Sequence, residues 1–108
     1  MDEACRSISF REARELLERE KGARFFDVRE EEEYDAGHAA GAELFPLGTI
    51  DEESAAERIP DPDTPVLLYC RSGARSFQAA MKLVSLGYTR VFDLGGLNGW
   101  PYGIEISL

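Results

Sequence analysis

Hydrophobic residues recur along this chain with helical spacing in some segments and as short continuous runs in others. Residues 10–20 have the period of an amphipathic helix, with Phe10, Ala13, Leu16 and Leu17 on one face. Ser9 and Glu12 have the spacing of a capping box, and Gly22 follows the segment as a stop signal. The pattern therefore predicts a first helix over residues 10–20.

Short apolar runs bounded by glycine, proline or charged residues predict four β-strands. They cover residues 23–28, 42–45, 65–69 and 91–94. The third run is the strongest of them and leads directly into Cys70. Such runs are typical of strands that are buried on both faces of a sheet.

Helical segments alternate with these strands. The charge cluster at residues 29–33 is interpreted as the solvated face of a short helix, and residues 51–58 have the acidic first turn of another. A further helix is predicted after residue 75, with Ser76 as its N-cap and Gly87 just past its end. Alternation of this kind favours an α/β domain with a mainly parallel sheet covered by helices on both faces.

Composition narrows the class without naming a function. A chain of 108 residues, 44% hydrophobic and 31% charged, suits a single globular domain over residues 1–108. The net charge of −9 argues against nucleic acid or an anionic membrane as partner. The first eleven residues lack the apolar run of a signal peptide or anchor, so we expect a cytoplasmic protein.

The two cysteines have no spacing typical of a disulfide framework or a zinc site. Cys5 near the start of the chain is interpreted as a partly exposed thiol without a role. No metal or cofactor is predicted. Cys70 is different, because it ends the best strand and precedes a glycine-containing loop that opens into a helix. Ligands of open α/β sheets bind at that position.

The loop at residues 71–75 has the features of an anion-binding cradle. It contains Arg71, Ser72, Gly73, Ala74 and Arg75. Its backbone N–H groups, the following helix N-terminus and two guanidinium groups would all stabilise negative charge. A thiol in that field has a lowered pKa and is a nucleophile at neutral pH. The alternative is a structural cysteine before an ordinary strand-to-helix turn.

Other polar residues near this loop are expected to support it. His38, the only histidine, could act as a general base for Cys70, but its position in a turn of small residues favours a structural role. Asp27 and Arg29 follow the first strand and are expected to brace this side of the sheet. Trp100 either lines the mouth of a pocket or packs a glycine-rich turn onto the core.

The segment CRSGARS at residues 70–76 resembles the active-site loop of the rhodanese family, single-domain type. Three further matches occur in the family's order, so that the resemblance spans residues 23–101: Asp27-Val28-Arg29 with Glu33-Tyr34, Gly37-His38 with Gly41-Ala42, and Gly95-Gly96 with Trp100. The resemblance implies a three-layer α/β/α rhodanese-like fold with a five-stranded, mainly parallel sheet.

The resemblance also implies a sulfurtransferase that works without a cofactor. Cys70 would take a sulfur atom from thiosulfate or a persulfide donor and pass it to cyanide or a thiol, with small molecules or proteins as donor and acceptor. The amides of residues 71–75 would hold the persulfide, and Arg71 and Arg75 would bind the donor's sulfonate. His38 would keep its structural role.

Two alternatives remain open on the sequence alone. Rhodanese-like domains also serve as non-catalytic interaction modules, although the cysteine retained here counts against that reading. Phosphatase or arsenate-reductase relatives have one more residue between the cysteine and the arginine. Four residues separate Cys70 from Arg75 in this chain, which favours a single sulfur atom over a tetrahedral oxyanion.

Overall fold

The computed structural model describes residues 4–107 as seven strands and four α-helices, with a short 3-10 helix at Leu47–Thr49. The strands are β1 (Cys5–Ser7), β2 (Arg24–Asp27), β3 (His38–Ala39), β4 (Glu43–Leu44), β5 (Val66–Cys70), β6 (Val91–Gly96) and β7 (Ile104–Glu105). The helices are α1 (Phe10–Arg19), α2 (Glu31–Ala36), α3 (Glu52–Arg58) and α4 (Ala74–Ser85). None of these helices has the length and hydrophobicity that a membrane crossing requires.

Five strands form one parallel sheet in the order β1-β6-β5-β2-β4. β5 therefore lies in the middle, hydrogen-bonded to a strand on each side. β3 and β7 pair separately as a small antiparallel sheet. The predicted five-stranded, mainly parallel sheet is confirmed.

Alternate residues of β5 belong to two separate hydrophobic cores. Val66, Leu68 and Cys70 pack in the core that α3 and α4 cover. Leu67 and Tyr69 pack in the core that α1 covers. Because successive side chains of a strand point to opposite faces, this alternation produces the three-layer α/β/α arrangement. It also explains why β5 reads as a continuous apolar run.

Local signals predicted the helix boundaries well. Ser9 caps α1 through a reciprocal capping box with Glu12, as its spacing indicates. Gly87 follows α4 with a φ of 103°, the left-handed conformation expected just after a helix. The prediction that Ser76 caps α4 is wrong. Gly73, with a φ of 101°, precedes the helix, and Ser76 lies buried in its first turn.

Three strands, β1, β3 and β7, escaped prediction because they exist only through pairing with distant strands. β1 contains no apolar run, and it is held as an edge strand by parallel pairing with β6. β7 likewise exists through its pairing with β3, which the sequence suggested only as a turn. The strand predicted at residues 42–45 is shorter than expected and covers Glu43–Leu44.

Candidate active site

Cys70 occupies the carboxyl end of the central strand. It is the last residue of β5, and its carbonyl oxygen accepts a hydrogen bond of 3.1 Å from the backbone N–H of Leu97. Its side chain faces the core under α4 and is fully buried. The sulfur therefore lies at the edge of the sheet where open α/β folds bind ligands.

The loop after Cys70 directs backbone N–H groups at its sulfur. The N–H of Gly73 donates to Sγ over 2.9 Å. Gly73 has a φ of 101°, which a residue with a side chain adopts only with strain, and α4 begins at the next residue. The turn thus places the N-terminus of a twelve-residue helix, with its partial positive charge, beside the thiol.

A second glycine lets the loop lie close to the sheet. A Cβ atom at Gly96 would lie 2.6 Å from the carbonyl oxygen of Arg71, closer than real Cβ contacts come. Gly96 pairs with Cys70 across β5 and β6, so this contact lies directly beside the nucleophile. The absence of a side chain at Gly96 therefore fixes how near the loop approaches the strand.

Opposing effects act on the acidity of the Cys70 thiol. Burial by itself raises its pKa, because it disfavours the charged form. Stabilisation of the thiolate by Ser76, through its hydroxyl and N–H, and by the N–H groups of Gly73 and Ser72 outweighs burial. The pKa of Cys70 is therefore lowered from its ordinary value, which increases the fraction of thiolate at a given pH.

The two loop arginines lie in different surroundings. Arg75 forms a bidentate ion pair with Glu33, with Nη1 2.6 Å from Oε1 and Nη2 3.0 Å from Oε2. Arg71 is exposed, and within residues 4–107 no hydrogen bond or ion pair involves its side chain. The sequence predicts the same role for both, but only Arg71 stands unpaired in the described structure.

Arg71 faces an open pocket next to the loop. The pocket has a volume of about 570 Å³, and its walls include Leu97, Trp100 and Ile104. Arg29 also lines it, but that guanidinium already binds a carboxylate. The side of the loop that bears Arg71 thus offers an uncompensated positive charge to a solute.

Asp27 and Arg29 form a buried ion pair at the end of β2. Arg29 Nη2 lies 2.6 Å from Asp27 Oδ2, and the same guanidinium donates to the carbonyl oxygen of Gly37 over 2.7 Å. The hydroxyl of Tyr69 donates to Asp27 Oδ2 over 2.6 Å and accepts from the N–H of Ala39. This cluster joins β2, β5 and β3 just below the loop and makes no contact with the sulfur.

His38 and Trp100 also have structural surroundings. The His38 ring stacks on Tyr34 at a centroid distance of 3.6 Å, and its Nδ1 lies 2.8 Å from the Tyr34 carbonyl oxygen. His38 is buried there, away from Cys70. Trp100 packs edge-on against Phe10, while part of its ring borders the pocket beside Arg71. Trp100 therefore both packs onto the core and lines the mouth of the pocket.

Comparison with known proteins identifies the family. The model of the family described as "Rhodanese-like domain" matches residues 9–101, most of the chain. The chain belongs to the rhodanese family. The resemblance noted in the sequence is thereby confirmed, and with it the rhodanese fold.

Similar proteins include single-domain rhodaneses. Thiosulfate sulfurtransferase GlpE of Pseudomonas fluorescens is 39% identical over 94 residues, covering 82% of each chain. The uncharacterized protein YqhL of Bacillus subtilis is 38% identical over 79 residues, which cover 72% of this chain and 60% of that protein. A solved structure titled "rhodanese with anions from E. coli" is 34% identical with a TM-score of 0.71, covering 78% of this chain and 98% of that one.

Sequence reasoning missed two residues of this rhodanese site. Ser76 was interpreted as a helix cap, yet its hydroxyl, which donates to the carbonyl oxygen of Gly73 over 3.1 Å, helps to lower the pKa of Cys70. The signal was its position three residues after Gly73 on a helix, which returns its side chain to the same side. Glu33 was treated as part of a solvated charge cluster. Its partner Arg75 lies 42 residues away, so no local pattern connects them.

Proposed function

We propose that this rhodanese domain is a sulfurtransferase that carries sulfur as a persulfide on Cys70. The observation that carries the proposal is the sulfur of Cys70 at the N-terminus of α4, where it accepts the N–H of Gly73 and where neighbouring polar groups lower its pKa. Those groups stabilise a negative sulfur atom, whether it is a thiolate or the outer sulfur of a persulfide. The name of the GlpE relative supports sulfurtransferase activity, with thiosulfate as the donor to test.

In the first step the Cys70 thiolate attacks the outer sulfur of thiosulfate. The new bond joins Sγ to that sulfur, and the sulfur–sulfur bond of thiosulfate breaks with its electron pair leaving on sulfite. Cys70–S⁻ and S₂O₃²⁻ thus give Cys70–S–S⁻ and SO₃²⁻. The negative charge moves outward by one sulfur atom and is received by loop N–H groups that already point into the cradle.

In the second step an acceptor attacks the outer sulfur of the persulfide. With cyanide, the products are thiocyanate and the Cys70 thiolate; with a thiolate, they are an acceptor persulfide and the same Cys70 thiolate. Neither step needs a general base, because the thiolate is stabilised by hydrogen bonds instead. This supports a structural role for His38.

Access to the sulfur restricts what can react. Cys70 is fully buried, and the exposed residues of the loop are Arg71, Ser72 and Ala74. A donor must therefore extend a narrow reacting atom past these residues to reach the sulfur. A terminal sulfur suits that requirement better than a tetrahedral phosphate, in agreement with the short spacing between Cys70 and Arg75.

The direct test is sulfur loading. Incubation with thiosulfate followed by intact-protein mass spectrometry is expected to show the gain of one sulfur atom, and cyanide is expected to remove it. Cys5→Ser is the matched control and is expected to load fully, because Cys5 lies on the edge strand at the other end of β6. A wild-type protein that gains no sulfur would refute thiosulfate turnover and favour an interaction module.

Removal of the Ser76 hydroxyl is expected to raise the pKa of Cys70. A hydrogen bond to a charged group is worth about 1.5–3 kcal/mol, so Ser76→Ala should raise that pKa by about one unit or more. The midpoint of iodoacetamide alkylation against pH reports this shift, since the thiolate is the reactive form. It should lie below that of free cysteine in wild type and move upward in the variant.

Ser72→Ala provides the control for that measurement. Ser72 contributes its backbone N–H to the sulfur, and alanine retains that group. The alkylation midpoint of Ser72→Ala is therefore expected to match wild type within about 0.3 unit. Equal midpoints for Ser76→Ala and Ser72→Ala would show that the Ser76 hydroxyl does not stabilise the thiolate. In that case the Ser76 hydroxyl acts only as a donor to the carbonyl oxygen of Gly73, 3.1 Å away.

A further inference from the structure

Three arginines lie near the catalytic loop, and two of them already have carboxylate partners. Arg29 is paired with Asp27 at 2.6 Å, and Arg75 is paired with Glu33 at 2.6 Å. Both guanidinium groups are thus neutralised by the protein itself. Within residues 4–107, the side chain of Arg71 has no such partner.

Glu33 is held in place from two directions. Its Oε1 accepts the backbone N–H of Glu30 over 3.0 Å, which closes the capping box of α2. The same carboxylate receives both terminal nitrogens of Arg75. A planar guanidinium in this bidentate geometry has two of its donors committed and is held on the α2 side of the loop.

The electrostatics agree with this geometry. Hydrogen bonds from Arg75, and secondarily from the N–H of Glu30, lower the pKa of Glu33 to about 2. Glu33 is therefore fully ionised throughout the neutral range. The pair also lies close to Cys70, because Arg75 comes two residues after Gly73, whose N–H donates to the Cys70 sulfur. After Glu33, the Cys70 thiolate contributes to the raised pKa of Arg75.

We propose that Glu33 is a positioning residue that holds Arg75 in an ion pair and so keeps it from binding the donor. In this proposal Arg71 is the guanidinium that binds the sulfonate of the donor. Glu33 and Arg75 together tie the N-terminus of α2 to the first turn of α4, which supplies the N–H groups of the cradle. This division of roles rests on the proposed function and separates two arginines that the sequence treats alike.

A charge-neutral double substitution separates the two roles. Glu33→Gln/Arg75→Gln removes one charge of each sign, so the donor should meet the same net field as in wild type. Its KM for thiosulfate is expected to stay within about twofold of wild type. Arg71→Gln is expected to raise KM by about tenfold or more, since a charge-assisted contact with the sulfonate is lost. Arg71→Lys should recover part of that loss.

The single substitution Glu33→Gln makes a sharper prediction. It frees the positive charge of Arg75 beside the thiol, so KM for thiosulfate should fall by about threefold. Loosening of the fold would not by itself lower KM. Glu32→Gln is the matched control, because it makes the same charge change at the neighbouring exposed position of α2 and should change KM by less than about 1.5-fold.

Melting temperatures of all variants exclude unfolding as the cause of a change. A double variant whose KM rises as far as that of Arg71→Gln would overturn the proposal, because Arg75 would then bind the donor. A Glu33→Gln variant that does not lower KM relative to Glu32→Gln would also overturn it. An unchanged KM in Arg71→Gln would do the same.

A second measurement keeps this inference separate from the proposed function. Sulfate resembles the sulfonate but transfers no sulfur, so it can be tested for protection of Cys70 against iodoacetamide. Protection is expected in wild type and in the double variant and is expected to be lost in Arg71→Gln. If thiosulfate turnover fails while this pattern holds, only the proposed function is refuted; absence of protection in wild type refutes the role of Arg71.

Discussion

Replacement of Cys70 by serine is expected to lower kcat/KM for thiosulfate by at least about a thousandfold. The groups around position 70 lower the pKa of the Cys70 thiol, whereas a serine hydroxyl has a far higher pKa and stays protonated at neutral pH. Serine also cannot carry a transferable sulfur. Steady-state formation of sulfite and thiocyanate measures the loss directly.

The fold of Cys70→Ser should persist, which makes the loss interpretable. Serine is close to cysteine in size, and its oxygen can accept the hydrogen bond that Gly73 now donates to the sulfur. Cys5→Ser is expected to keep wild-type kinetics within about twofold, because β1 is remote from the loop. Residual activity above a tenth of wild type in Cys70→Ser would contradict the persulfide mechanism.

The parts of this domain that are encoded locally could be predicted from the sequence. The apolar run before Cys70, the glycine three residues after it and the following helix belong to one continuous segment. Strand, loop and candidate nucleophile could therefore be predicted together. The capping box at Ser9 and the left-handed Gly87 are likewise local, and the structure contains both.

The parts that depend on distant residues could not be predicted. Glu33 meets Arg75, and Asp27 meets Tyr69, across 42 residues in each case. Glu33 does not differ in sequence from the solvated acids around it, and the position of Asp27 at a strand end does not show that Tyr69 is its partner. The role of Gly96 is equally non-local, because it depends on the carbonyl oxygen of Arg71 in the loop that follows the neighbouring strand. These contacts decide which charges near the loop remain free, so the division between Arg71 and Arg75 required the structure.

The ion pair of Asp27 with Arg29 is expected to contribute more to stability than any exposed pair in the described structure. Asp27 is fully buried and accepts hydrogen bonds from the Arg29 backbone, the Arg29 guanidinium and the Tyr69 hydroxyl. Asp27→Asn would leave the largely buried guanidinium without its counter-charge. Breaking a buried pair in this way costs about 3–5 kcal/mol, which urea unfolding monitored by circular dichroism can measure.

Glu43→Gln is the matched control, because it neutralises an acid whose ion pair with Arg24 is exposed. Arg24 Nη2 lies 2.7 Å from Glu43 Oε2, and the two side chains are 34% and 49% exposed. Its expected cost is below about 1 kcal/mol. Tyr69→Phe is a smaller change in the buried cluster, because it removes only the hydroxyl that links Asp27 to the N–H of Ala39. We expect it to lower the free energy of unfolding by about 1–2 kcal/mol.

The order of the three variants by free energy of unfolding tests which interactions stabilise the carboxyl edge of the sheet. If the buried cluster braces β2 against β5, Asp27→Asn must lose the most free energy of unfolding, Tyr69→Phe an intermediate amount and Glu43→Gln the least. The loop at Cys70 follows Tyr69 directly, so the two cluster variants should also slow sulfur transfer, whereas Glu43→Gln should not. Equal stabilities for Asp27→Asn and Glu43→Gln would contradict this account and would mean that backbone pairing and the apolar cores hold that edge without the ion pair.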